Sequence, residues 1–175
     1  MRKLKNSELE RISVENFKIF DKTPIVVVLD NVRSALNVGS SFRTSDAFRV
    51  EKIYLCGITA TPPNKEIRKS ALGATESVEW KKVEDTESVI KKLKSDGYHI
   101  CAIEQTEKST MLNDFILPEK PIAVVFGHEV NGVQQSVIDL CNQCIEIPQI
   151  GTKHSLNISV SVGIVIWDLY KKITE

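Results

Sequence analysis

The sequence predicts an α/β fold, a mostly parallel sheet flanked by helices, and three observations carry that reading. Two apolar runs without alternation, Ile25-Val26-Val27-Val28-Leu29 and Ile122-Ala123-Val124-Val125-Phe126, suit strands buried on both faces. Stretches with helical periodicity lie between the strand-like runs, and that alternation builds parallel sheets covered on both sides. A length of 175 residues suits a single sheet domain with a sizeable core.

In chain order, residues 1–22 read as an amino-terminal helical arm, with charges interleaved among Leu4, Leu9, Ile12, Phe17 and Ile19. The sheet domain takes residues 23–175. Pro24 leads into the first strand, which Asp30-Asn31 ends, and Asn37-Val38-Gly39-Ser40 leads into a helix carrying Phe42 and Phe48. Lys52–Gly57 returns as a strand. Pro62-Pro63-Asn64 marks a loop before a short helix over 66–72, and Val78-Glu79-Trp80 reads as a brief strand. Thr86 is expected to cap a helix over 87–96, with Val89, Ile90 and Leu93 on one face and Gly97 as its terminator. Tyr98–Ile103 is the next strand. After Ile122–Phe126 come a glycine-bounded loop, Gly127–Gly132, a short helix and a strand, Cys144–Pro148. A polar loop, Gln149–His154, follows, and Ser155-Leu156-Asn157 opens a long apolar helix in which Ser155 is the expected N-cap and Asn157 an amide buried among apolar residues.

Hydrophobic content of 42% and charged content of 26% are ordinary for a globular protein, and the formal net charge is zero. The charge is unevenly spread. Residues 1–73 hold 13 Lys and Arg against 8 Asp and Glu, so a polyanion would meet the first part of the chain. The amino terminus lacks the apolar core of a signal peptide, and the apolar stretch 158–167, broken by Ser159, Ser161 and Gly163, is too short to span a bilayer. A cytoplasmic protein with no membrane partner is expected.

Ligands of open α/β sheets bind beyond the carboxyl ends of the strands, so the loops after Phe126 and Pro148 are the candidate site. Neither a phosphate-binding Gly-x-x-x-x-Gly-Lys run nor a Gly-x-Gly-x-x-Gly follows the first strand. The first turn, Asp30 to Gly39, is polar and cationic instead, which suits an anionic partner.

Three motifs, each at a predicted strand end, resemble those of the SpoU (TrmH-type) RNA 2′-O-ribose methyltransferases, within the SPOUT superfamily. They are Asn31-x-Arg33-Ser34-x-x-Asn37-x-Gly39-x-x-x-Arg43, Phe126-Gly127-x-Glu129-x-x-Gly132 and Ile147-Pro148-x-x-Gly151-x-x-x-Ser155-Leu156-Asn157-x-Ser159-Val160. The family's methionine in the third motif is Gln149 here, a departure that leaves the loop's backbone role intact. The resemblance implies a deep carboxyl-terminal trefoil knot, an exception to the rule that chains do not thread loops. It implies S-adenosylmethionine held mainly by backbone at Ile103, Gly127, Ile147 and Leu156. Gly127, with no Cβ, would let that ligand approach the main chain.

The same resemblance makes Arg43 catalytic, with Asn37, Glu129, Ser155 and Asn157 completing the site. Glu129 would fix Arg43 or another donor. Arginine, with a pKa above about 12, is a poor base, so the minimum role of Arg43 is a clamp on a backbone phosphate that aligns the ribose hydroxyl. A transiently neutral Arg43 acting as base is the family's own alternative. Arg33 and the arm residues Arg2, Lys3 and Lys5 would contact phosphates and position RNA without reading its sequence. A homodimer is implied, and Ile158, Val162, Val165, Ile166 and Leu169 are expected to spread apolar surface over more than one face of the last helix.

No metal is expected. Cys141-Asn142-Gln143-Cys144 lacks a second half, only His128 and His154 are near it in sequence, and redox pairs of this spacing favour a strand-to-helix junction. Cys56 and Cys101 sit in predicted strands as core. The expected activity is therefore methyl transfer to a ribose 2′-hydroxyl, with compact tRNA ahead of rRNA and a D-loop guanosine as first target. The alternative is a non-catalytic RNA-binding or assembly factor of the same fold.

Overall fold

The apolar run Thr23–Asp30 forms β1, and the computed structural model, which describes residues 1–175, builds a seven-stranded sheet around it. The other strands are β2 (Val50–Cys56), β3 (Glu79–Val83), β4 (His99–Ile103), β5 (Thr110–Met111), β6 (Ile122–Phe126) and β7 (Gln143–Glu146). Their order is β3-β2-β1-β6-β4-β7-β5, and every ladder is parallel. Helices α1 (Val14–Ile19), α2 (Ala35–Ala47), α3 (Lys65–Ala71), α4 (Ala74–Ser77), α5 (Thr86–Ser95), α6 (Gln135–Ile138) and α7 (Ile158–Thr174) complete the chain. None of them is long and apolar enough to cross a membrane.

Adjacent strands β1 and β6 pair Val27 with Val124, and alternation along each divides the core into two layers. Ile25, Val27, Leu29, Val124 and Phe126 pack with Phe42 of α2 and with Val162 and Ile166 of α7. Val26, Val28, Ala123 and Val125 pack with Val89, Ile90 and Leu93 of α5. Fully burying each of these larger aliphatic side chains contributes about 1.5–3 kcal/mol, so both helix layers are held by continuous apolar contact. Cys56 and Cys101 lie in this core, and burial pushes the Cys56 thiol up to about 12.

Several expectations are corrected. The helix over 86–95 is capped by Asp85, whose carboxylate accepts from the Glu87 and Ser88 amides. Thr86 instead turns inward and donates to Asp30 at 2.6 Å. The last helix starts at Ile158, and its N-cap is the exposed Asn157, whose Oδ1 accepts from the Ser159 amide at 2.8 Å. Ser155 is not the cap, and Asn157 is not a buried amide. Asn caps as well as Ser, and it lies nearer the first buried residue of the helix. Ile158, Val162, Val165, Ile166 and Leu169 recur at helical spacing on one face and pack into the chain's own core. The apolar residues of α7 that face outward are Val160, Ile164 and Trp167.

Residues 4–20 do not form one amphipathic helix. A 3₁₀ turn at Asn6–Glu8 and the six-residue α1 divide them, and among the five apolar positions only Phe17 is buried.

Gly39 explains how α3 reaches α2. A Cβ there would overlap Ser70 Oγ and the carbonyl oxygen of Ile67, so the glycine lets the two helices cross at backbone distance. Ser70 Oγ then donates to the Leu36 carbonyl at 2.9 Å, closing the first turn of α2.

Candidate active site

The carboxyl ends of β4, β6 and β7 open into a cavity of about 430 Å³, within the roughly 300–1,000 Å³ range of small-molecule sites. Ile103, Ile145, Ile147 and Leu156 supply its apolar wall. Gly127, Glu129, Ser155 and Asn157 line it as well, so all four cofactor candidates and three of the five catalytic candidates meet around one space. The segment 149–157 covers one side and is exposed throughout. Gln105 Nε2 tethers that segment by donating to the His154 carbonyl at 2.8 Å.

The loop after β6 is held from several directions. Gly127 is glycine because a Cβ there would overlap the Gly132 and Val133 backbone; the close approach is that of the loop's own return. His128 and Gly132 exchange backbone hydrogen bonds of 3.0 and 2.8 Å, and Gly132 takes a left-handed φ of 67°. His128 Nδ1 accepts from the Val130 and Asn131 amides. Glu104, one residue past β4, accepts from the Val133 amide at 2.9 Å, its carboxylate occupying the space that a side chain on residue 132 would need. Asp30, wholly buried at the end of β1, accepts from the Gln134 amide at 3.1 Å and from Asn31, Thr86 and the Gln134 side chain.

Glu129 reaches from this loop to the start of α2. Its carboxylate accepts from the Arg33 amide at 2.9 Å, the Ser34 amide at 2.8 Å and Asn37 Nδ2 at 3.0 Å. Burial pushes its pKa up, but the donors from Arg33, Ser34, its own backbone and Asn37 outweigh that and hold it below the ordinary 4.5. Negative charge at a helix amino terminus is favourable for the same reason. The first two motifs thus join at a hydrogen-bonded junction, with Glu129 bound to the backbone leading into α2 and to Asn37 rather than to Arg43.

Matched against known proteins, the chain fits the SpoU rRNA Methylase family over residues 24–167. It belongs to that family. A Staphylococcus haemolyticus protein named as a TrmH family tRNA/rRNA methyltransferase is 31% identical over 147 residues, covering 84% of this chain and 58% of the relative. The chain therefore spans under two thirds of that relative's length. The solved TrmH/SpoU tRNA modifying enzyme of A. aeolicus superposes with a TM-score of 0.80 at 25% identity, covering 92% of this chain and 80% of that one. An AdoMet-bound rRNA methyltransferase from Sinorhizobium meliloti gives a TM-score of 0.80 at 25% identity, with 86% and 57% coverage.

SpoU methyltransferases use S-adenosylmethionine. The wall of this cavity fits it: aliphatic side chains suit the adenine faces, and the carboxylates of Glu104, Glu129 and Glu146 suit a cationic ligand. No lysine or arginine lines the space.

Among the SpoU motif residues, Arg43 lies apart from the cavity within a single chain. It is exposed on α2, seven residues after the exposed Leu36 and so on the same face, and it makes no ion pair. Arg33 also points to solvent, its backbone pinned by Glu129 at the cavity rim. In the arm, Arg2 is paired with Glu8 through two bonds of 2.9 and 2.7 Å, while Lys3 and Lys5 are exposed. Sequence reasoning missed Glu104, Glu146, Asp30 and Gln105. For Glu104 and Asp30 a signal existed, since each is an acidic residue at the end of a buried apolar strand.

Proposed function

We propose that the chain transfers a methyl group from S-adenosylmethionine to a ribose 2′-hydroxyl of RNA, with compact tRNA ahead of rRNA and a D-loop guanosine as the first target to try. The single observation that carries this reading is the division of charge. The cavity has carboxylates and no cation, while Arg33 and Arg43, the residues suited to phosphate, stand outside it. When bound, the sulfonium supplies an activated methyl group. Glu129 fixes the first turn of α2 against the cavity rim and so sets the place of Arg33 and Asn37. Arg43 clamps the phosphate beside the target ribose and aligns the hydroxyl, and positioning of that kind is worth up to about 7–11 kcal/mol.

The site is shared by a homodimer in this reading. Val160, Ile164 and Trp167 form an exposed apolar stripe at helical spacing on α7, Leu156 adds exposed apolar surface just before that helix, and Leu36 is exposed on the same face of α2 as Arg43. A second copy docked there would present its Arg43 to this cavity. The carboxyl-terminal trefoil knot belongs to the same proposal. In its favour, β6 pairs between β1 and β4, and β7 between β4 and β5, so the chain recrosses β4 after leaving it. A cytoplasmic location and a phosphate-contacting role for Arg2, Lys3 and Lys5, at the start of an arm over residues 1–22 that packs Phe17 into the core of the 23–175 domain, complete the reading.

The test is incubation with methyl-labelled cofactor and total RNA, followed by nucleoside analysis. Labelled 2′-O-methylnucleoside is the expected product, and Arg43→Ala is expected to abolish it while leaving cofactor affinity unchanged. Cofactor binding without any methylated RNA would turn the assignment toward a non-catalytic RNA-binding factor.

A further inference from the structure

The carboxylates in the cavity wall have a consequence for what the site releases. Glu104, one residue past β4, and Glu146, the last residue of the adjacent β7, both line the space. Glu104 accepts from the Val133 amide at 2.9 Å and the Gln105 amide at 3.0 Å; Glu146 accepts from Ser109 Oγ at 2.8 Å. All three partners are neutral, neither residue has a cation within ion-pair distance, and no lysine or arginine lines the cavity. Glu129 differs, because three donors from the α2 junction already surround it. Two carboxylates without a cationic partner, half-buried in a wall that holds no lysine or arginine, therefore favour a cation over a neutral ligand of the same shape.

Methyl transfer removes such a cation. As the methyl bonds to the ribose oxygen and that oxygen's proton leaves, sulfur keeps the electron pair of the broken bond. The sulfonium becomes a neutral thioether. The product differs from the donor by one positive charge and one methyl group, and little else.

We infer that Glu104 and Glu146 make this cavity charge-selective, so that it holds the sulfonium donor and lets the demethylated thioether go. The inference rests on the cofactor reading above. It also gives Gly132 a second meaning: a side chain there would displace the Glu104 carboxylate from the wall.

Calorimetry with three ligands tests it on the full chain: S-adenosylmethionine, S-adenosylhomocysteine, and the analogue in which an amine-bearing carbon replaces the methylsulfonium. The two cationic ligands are expected to bind about tenfold more tightly than the thioether, equivalent to about 1.4 kcal/mol. In Glu104→Gln/Glu146→Gln the preference is expected to fall to within about twofold, with thioether affinity unchanged. Glutamine at 104 keeps an acceptor for the Val133 amide, so charge is removed while the loop stays tethered. If the double variant does not fold by its thermal transition, Glu146→Gln alone carries the test, its only partner being a serine hydroxyl. Equal binding of all three ligands to wild type overturns the inference, as does a preference that survives both substitutions or an equal loss for all ligands. If none of the three binds, the cofactor reading fails first, and that outcome is distinct from binding without selectivity.

Discussion

Removing the Glu129 carboxylate is expected to loosen the junction between the first two motifs by a measurable amount. Three donors converge on it at 2.8–3.0 Å, two of them backbone amides that lead into α2. A hydrogen bond to a charged group nets about 1.5–3 kcal/mol in a protein, and a half-exposed site recovers part of that from water. Glu129→Ala is accordingly expected to cost about 2–3 kcal/mol in urea unfolding at neutral pH. Glu129→Gln keeps one oxygen for Ser34 and Asn37 but turns a side-chain amide NH2 toward the Arg33 N–H, and about 1–2 kcal/mol is expected. The pH dependence gives an independent check. The folded pKa lies below 4.5, so the contribution is full above that value and is lost as pH falls through the lowered one. The gap between wild type and Glu129→Ala should therefore close in acid. A loss below about 0.5 kcal/mol, or a gap of the same size at every pH, would refute the junction as described.

Gly39→Ala places a Cβ against the Ile67 carbonyl and Ser70 Oγ, and a cost of about 1–3 kcal/mol in unfolding free energy is expected from forcing α2 and α3 apart. His99 is held below its ordinary 6.5 chiefly by burial, against the raising effect of a hydrogen-bonding contact with the Gln143 side chain and with Lys120 adding to the lowering, and its Nε2 has no partner. The unfolded chain takes the proton first, so stability should fall as pH drops below 6.5, and His99→Asn should flatten that part of the urea midpoint profile. Arg43→Ala should leave the urea midpoint unchanged, since the side chain is exposed and unpaired. Mixed dimers of Arg43→Ala with Ile147→Trp, a cavity-filling variant, should regain turnover that neither parent has if the guanidinium crosses to the other protomer's cavity. Heterodimers without recovered turnover would remove that part of the account.

What could be read in the sequence divides along a physical line. Strands buried on both faces announced themselves, because Ile25–Leu29 and Ile122–Phe126 can hardly be anything else, and both appear within one residue or two of the expected bounds. Loop residues named by motif, Gly127, Glu129, Ile147 and Leu156, converge on one cavity because each follows a parallel strand on the same sheet edge. Caps were less legible. Asp85 and Thr86 are adjacent and both are good caps, and only the buried Asp30 decides which one turns inward. Asn157 was misread for a related reason, since one residue separates a cap from a buried position and a helix boundary cannot be placed that finely from periodicity. The role of Gly127 needed coordinates outright. A glycine that accommodates a ligand and one that accommodates Gly132 backbone look the same in sequence. Partners of Glu104 and Glu129 lie about 29 and 92–96 positions away in the chain, beyond the reach of any local pattern.

Alkaline hydrolysis of RNA methylated with labelled cofactor tests the central claim most directly, because hydrolysis needs a free 2′-hydroxyl. The account predicts that the label is recovered in a hydrolysis-resistant dinucleotide, and that Arg43→Ala leaves none there. Label released entirely in mononucleotides would place the methyl group on a base and contradict it.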